Sequence, residues 1–149
     1  HDSKLINEEV ELGETLVKQT IDDIREIQKI KTIKPSKVTI FVADSWEFDV
    51  YSIVLNNKGK PINEITKDIM SGDLRRYGNA TVAYIQSLYK KINEIVPVLP
   101  KQKQMSVLSD AKQFLENELK CPVLIMDGEK SQEKKAKQAT PQKPGILLL

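Results

Sequence analysis

The sequence predicts an α/β (α+β) protein: a small mixed sheet of about three short strands packed by helices, preceded by one long helix from an upstream helical bundle. Three observations predict it. Residues 8–31 carry apolar side chains at helical spacing. Two short apolar stretches, "VTIFV" and "VLIM", stand far apart in the chain, with helical periodicity between them. A third apolar stretch, "ILLL", closes the sequence.

In the first element Val10, Val17, Ile21 and Ile24 recur at helical spacing, in steps of seven, four and three residues, and Leu12, Leu16 and Ile27 widen the stripe. No complementary stripe is evident elsewhere, so this helix reads as the last of a bundle lying upstream. "KTIKPSK" breaks it, because Pro35 lacks an amide donor and pushes Lys34 out of helical geometry. The expected boundary therefore divides residues 1–34, a terminal bundle helix, from residues 35–149, a small α/β domain.

Val38–Val42 is β-branched and aromatic, hence a strand, and Asp44 or Ser45 caps a helix over residues 45–57. Asn56, Asn57 and Gly59 end that helix, and Pro61 opens the next. Ser71, Gly72 and Asp73 then punctuate before a third. There Val82, Ile85, Tyr89, Ile92 and Val96 keep the helical period until Pro97. "KQKQ" reads as a linker, and Leu108, Ala111, Leu115 and Leu119 mark a helix over residues 105–120. Pro122 precedes the strand "VLIM", with Asp127 and Gly128 as its turn. A polar lysine-rich segment follows, and the tail from Ile146 to Leu149 is a third strand, since two short strands with bare edges accept one more. The same tail, with its basic lead-in, could instead dock on a partner.

At 149 residues the chain has room for one domain, or one domain and an arm. Charged residues make up 30% and hydrophobic ones 40%, and no apolar run approaches the roughly 18 to 20 residues that span a bilayer. The chain opens on His1 rather than methionine and without a charged-then-apolar leader, which is expected of a piece of a longer polypeptide. Its single cysteine, Cys121, has no internal partner and fits a reducing compartment. A net charge of +2 hides an asymmetry: residues 1–30 hold four Lys/Arg against eight Asp/Glu, whereas residues 129–143 alone hold five lysines against two glutamates. An acidic arm and a basic body call for different partners, with a polyanion such as nucleic acid or simple solubility as the two accounts of the body.

Catalytic groupings are scarce. The only histidine is His1, which leaves little for histidine acid–base chemistry or zinc. Cys121 has no histidine to activate it and reads as a packing residue, and the glycines are too isolated for a phosphate loop. Binding signals are stronger. "GDLRRYGNA" sets Arg75, Arg76 and Tyr77 near a helix start, where they can reach phosphate or stack on a base; solvated arginines on a capped helix are the alternative. Trp46, with Phe48 and Tyr51 behind it, reads as core rather than as a stacking platform. Lys130, Lys134, Lys135, Lys137 and Lys143 form a flexible basic strip suited to phosphate contacts, or a solubilising linker.

Four stretches in order, "ELGETLVKQTIDDIREIQKI", "KVTIFVADSWEFDVYSIV", "GDLRRYGNATVAYIQSL" and "KAKQATPQKPGILL", resemble the C-terminal region of archaeal-type (archaeal and eukaryotic cytosolic) leucyl-tRNA synthetases. The resemblance covers nearly the whole chain. It implies that residues up to Ile33 are the last helix of the anticodon-binding bundle. The rest is then the small C-terminal domain, with a basic linker and tail over residues 129–149, that grips leucine tRNA by its long variable arm and elbow. It also implies a cytoplasmic class I ligase as parent, with ATP and Mg used there and no cofactor or catalytic residue in this stretch. Membrane and DNA are not expected partners; other synthetases or assembly factors are. Lys135, Lys137, Gln138, Pro141, Lys143, Pro144 and Ile146 match the family's tail, and Arg75 and Tyr77 match its "R-x-Y-G" turn. The resulting tRNA-binding set is Arg75, Arg76, Tyr77, Lys134, Lys135, Lys137, Lys143, Ile146, Leu148 and Leu149. Relatives often end in an acidic residue just past the apolar tail. Here the end is "ILLL", so backbone groups or apolar contact would serve a splayed-out base. The competing reading is a protein-docking module using the acidic amphipathic helix, whose affinity would respond little to salt.

Overall fold

A computed structural model describes residues 2–149; His1, and with it the reading placed on the only histidine, lies outside the described residues. The fold is mixed α/β and mostly helical, with a three-stranded mixed sheet. The chain divides into two compact units, one built from the residues up to Asp44 together with Val98–Leu149, the other from Ser45–Pro97.

In the first unit, β1 (Val38–Val42) is the central strand, flanked by β2 (Val123–Asp127) and β3 (Gly145–Leu148). β1 runs parallel to β2, with Val38 opposite Val123, and antiparallel to β3, with Val38 opposite Leu148. Every residue of β1 is buried. That is why its sequence is a nearly continuous apolar run, interrupted only by the buried Thr39, instead of an alternating one, as a strand covered on both faces requires. The expected third strand is present, displaced by one residue toward the N-terminus.

The long helix α1 (Asp2–Lys31) starts earlier than its apolar periodicity suggests. Its stripe is also less orphaned than expected. Leu16, Thr20, Ile21 and Ile24 are buried, and α1 packs on α5 (Lys101–Asp110), where a Cβ at Gly13 would sit 3.4 Å from Val107. Leu5, Ile6 and Val10 remain exposed. The helix expected over residues 105–120 is two helices, α5 and α6 (Lys112–Leu119), parted at Ala111. The supposed linker "KQKQ" is the first turn of α5, opened by Pro100.

The second unit holds α2 (Ser45–Leu55), α3 (Ile62–Met70), a 3-10 turn (Asp73–Tyr77) and α4 (Asn79–Lys90), closing on Val50, Val54, Ile65, Ile69, Ile85 and Leu88. α4 stops at Lys90 although the helical period continues in sequence to Val96. Tertiary hydrogen bonds decide it: the Tyr51 hydroxyl donates to the Val96 carbonyl (2.5 Å) and accepts from the Val96 N–H (3.2 Å), while Lys58 Nζ donates to the Ile95 carbonyl. These contacts hold residues 95 and 96 in extended geometry, so Ile95 turns inward and Val96 stays exposed.

Candidate nucleic-acid interface

The lysine-rich segment is ordered, which corrects the expectation of a flexible strip. After β2 come a 3-10 turn (Gly128–Lys130), the short helix α7 (Lys134–Lys137) and a turn closed by paired hydrogen bonds between Thr140 and Lys143 (2.9 and 3.1 Å). Small residues provide the anchorage. Ala136 and Ala139 are buried. A Cβ at Gly145 would stand 2.1 Å from the Lys135 carbonyl oxygen, and one at Gly128 would stand 2.7 Å from that of Val42. Only glycine permits such backbone approaches. The consequence is a turn pressed against the start of β3, with Lys134 and Lys137 exposed and Lys135 half-buried.

Two polar ties fix the segment to α5. Gln104, buried, donates from Nε2 to the carbonyls of Pro141 (2.8 Å) and Leu99 (3.3 Å). Lys101 Nζ, also buried, donates to Asp127 Oδ1 at 2.7 Å, and the same oxygen accepts the Glu129 N–H at 3.0 Å. Burial pushes the Asp127 carboxyl up, but the hydrogen bonds from Lys101 and Glu129 and the nearby lysine charges outweigh it and hold it below its ordinary value. Lys143 reaches Asp23 on α1 at 3.6 Å. Lys143 is exposed and Asp23 half-buried, and at this distance the partly solvated pair is weak, so Lys143 stays available for exchange with another anion. Among the described residues no carboxylate lies within ion-pair distance of Lys134, Lys135 or Lys137, whereas the Lys130 charge acts on Asp127.

The tail completes this surface. Ile146 lies inside the sheet opposite Ile40 and is buried, Leu148 is half-buried, and Leu149 is 61% exposed. Leu149 is nonetheless pinned by its backbone: its N–H donates to the Lys37 carbonyl (3.0 Å), and its carbonyl accepts from the Ser36 N–H (2.7 Å), the Ser36 hydroxyl (3.0 Å) and the Lys37 N–H (3.3 Å).

A separate basic patch lies in the second unit. Arg75, Arg76 and Tyr77 sit not in the first turn of a helix but in their own 3-10 turn, divided from α4 by Gly78 at φ +56°. Both arginines are exposed, and Tyr77 stacks on Trp46. Trp46 is therefore only half-buried and part of a surface aromatic cluster, whereas Tyr51 is core as expected.

Sequence reasoning missed Lys101, Gln104 and the Trp46–Tyr77 pairing. Pro100 directly before Lys101 was an available sign of a helix start. Nothing local links residue 46 to residue 77. Cys121 is buried, and burial together with the Glu116 charge raises its thiol, as befits a packing residue. Among the described residues no three His, Cys, Asp or Glu side chains could hold a metal ion, and no helix is long and apolar enough to cross a membrane.

No family profile matches the chain. Individual proteins do. It is 41% identical, over 99% of its length, to leucine–tRNA ligase of Methanococcus aeolicus. Identity is 33% over 97% of the chain to that of Methanocaldococcus jannaschii, and 32% over 95% to that of Pyrococcus abyssi. In the two methanogen proteins the match occupies 15% of the relative's length, and in the third 14%. With matches of 32–41% identity covering 95–99% of its length, the chain belongs to the leucine–tRNA ligase family of archaeal type, as a segment matching its C-terminal region.

Proposed function

We propose that this segment is the RNA-gripping part of a leucine–tRNA ligase, holding the long variable arm and elbow of leucine tRNA while the rest of the parent enzyme activates and transfers leucine. One observation carries the reading: α7 presents Lys134, Lys135 and Lys137 without carboxylate partners, on a turn locked to the strand that ends in exposed Leu149. Cations fixed in this way meet backbone phosphates at little ordering cost, and the adjacent apolar end offers a surface to an unstacked base. Ile146, being buried, acts by holding the strand, while Leu148 and Leu149 offer the apolar contact. Lys143 joins after releasing Asp23. Arg75, Arg76 and Tyr77 supply a further contact from the second unit. ATP and Mg serve leucine activation in the rest of the parent enzyme, and no step proposed for this segment is routed through them. The work takes place in the cytoplasm, with neither membrane nor DNA as partner.

The test is a gel shift of this chain with leucine tRNA and with the same tRNA carrying a shortened variable arm, at two salt concentrations. Selective loss with the shortened arm, together with steep salt dependence, is the expected result. Equal binding to both RNAs, or none to either, would overturn it.

A second reading, docking to other synthetases or assembly factors, is favoured by an apolar groove of about 870 Å³ between α1 and the α5–α6 pair. Ile6, Val10, Val17, Val107 and Phe114 line it. Binding there would persist at high salt, which separates the two readings.

A further inference from the structure

Trp46, the only tryptophan in the chain, stacks on Tyr77 with ring centroids 5.2 Å apart and planes 21° from parallel, and meets Tyr84 edge-on at 5.9 Å and 85°. Burial, with the Glu47 charge beside it, pushes the Tyr84 hydroxyl far up, so it stays a neutral phenol. The guanidinium carbon of Arg76 lies 5.0 Å from the Tyr77 ring centroid, and its Nη2 donates to the Tyr77 hydroxyl at 3.0 Å. One ring thus engages an indole and a guanidinium at stacking distance. A base would have to displace one of them to stack there.

The arrangement suits a different ligand group. A guanidinium held at two points on an aromatic ring has given up much of its rotamer freedom before any ligand arrives, yet most of its five N–H donors remain free. Among the described residues no carboxylate pairs with Arg75 or Arg76 to neutralise them. We infer that the Arg76–Tyr77–Trp46 stack is a preorganised grip for a single RNA backbone phosphate, in which Arg76 is the contact and Tyr77 and Trp46 are positioning residues. This deepens the RNA-binding reading and rests on it: it gives the turn a phosphate and not a base.

The tryptophan that supports the site also reports on it. The experiment is titration of the whole chain with a leucine tRNA transcript, following Trp46 emission and the dependence of affinity on salt. The wild type is expected to change emission on binding. Arg76→Gln should lower the slope of log K against log salt by about 0.7 to 0.9, the share of one phosphate, and abolish the emission change. Tyr77→Leu keeps the charge and frees the guanidinium, so affinity should fall about two- to tenfold with the slope unchanged, an outcome that simple loss of charge would not produce. An Arg76→Gln slope equal to that of the wild type, or tRNA binding that leaves Trp46 emission unmoved, overturns the inference. Loss of binding in Lys134→Gln/Lys135→Gln beside intact binding and slope in Arg76→Gln would leave the RNA reading standing and remove this one. No binding by the wild type would remove both.

Discussion

The two basic patches are built in opposite ways. In the lysine turn the backbone is clamped and the charges are loose: Gly128, Gly145, Ala136 and Ala139 lock the chain, while Lys134 and Lys137 extend into solvent. In the arginine turn the charge itself is clamped, with Arg76 held on Tyr77 and Tyr77 on Trp46. A loose ammonium on a fixed turn provides attraction that tolerates many phosphate positions. A fixed guanidinium provides geometry at one position. The same ligand class can therefore be met by two kinds of contact, one for affinity and one for register.

This contrast can be broken most forcefully at Gly145. Gly145→Ala drives a methyl into the Lys135 carbonyl and should cost about 3 kcal/mol in thermal unfolding, while Trp46 emission below the transition stays at its wild-type value. The triple variant Lys134→Gln/Lys135→Gln/Lys137→Gln should do the reverse. Stability stays within about 0.5 kcal/mol. Affinity for leucine tRNA drops about ten- to hundredfold, with a visibly flatter salt dependence.

A smaller effect sharpens the comparison by probing the polar tie beneath the lysine turn. Lys101→Met leaves Asp127 with only the Glu129 N–H and should cost about 1 to 2 kcal/mol near neutral pH. The pH dependence has a definite sign. Because the Asp127 carboxyl sits below its ordinary value in the folded protein, its contribution is present above the unfolded value of about 4 and is lost as pH falls through the folded one. Unfolding midpoints measured from neutral to strongly acidic pH should converge for the wild type and the variant at the acid end.

The sheet was legible in the sequence because β1 is buried on both faces and so writes itself as "VTIFV", and because the two other strands, though less buried, are also short apolar runs. The long helix was legible in its period. The residues missed share a physical cause, namely partners distant in sequence. Tyr51 ends the helical pattern 45 residues away by occupying both backbone groups of Val96. The lysine segment looked too polar to fold because its anchors are glycines and alanines, which carry almost no hydrophobic signal and work by close approach to residues such as Val42 and Lys135. Of the candidate site, the identity of the basic residues could be read in advance. Their setting, a locked turn in one case and an aromatic stack in the other, could not.

The strand order has a consequence for synthesis. β1 is central, yet both of its neighbours come much later, and Val38 waits for Leu148. At about 5 to 20 residues per second, the ribosome delivers β3 roughly 5 to 20 s after β1. Until β2 emerges this fully buried strand has two bare edges, and until β3 follows it has one, a window in which a nascent-chain chaperone would find its clearest target.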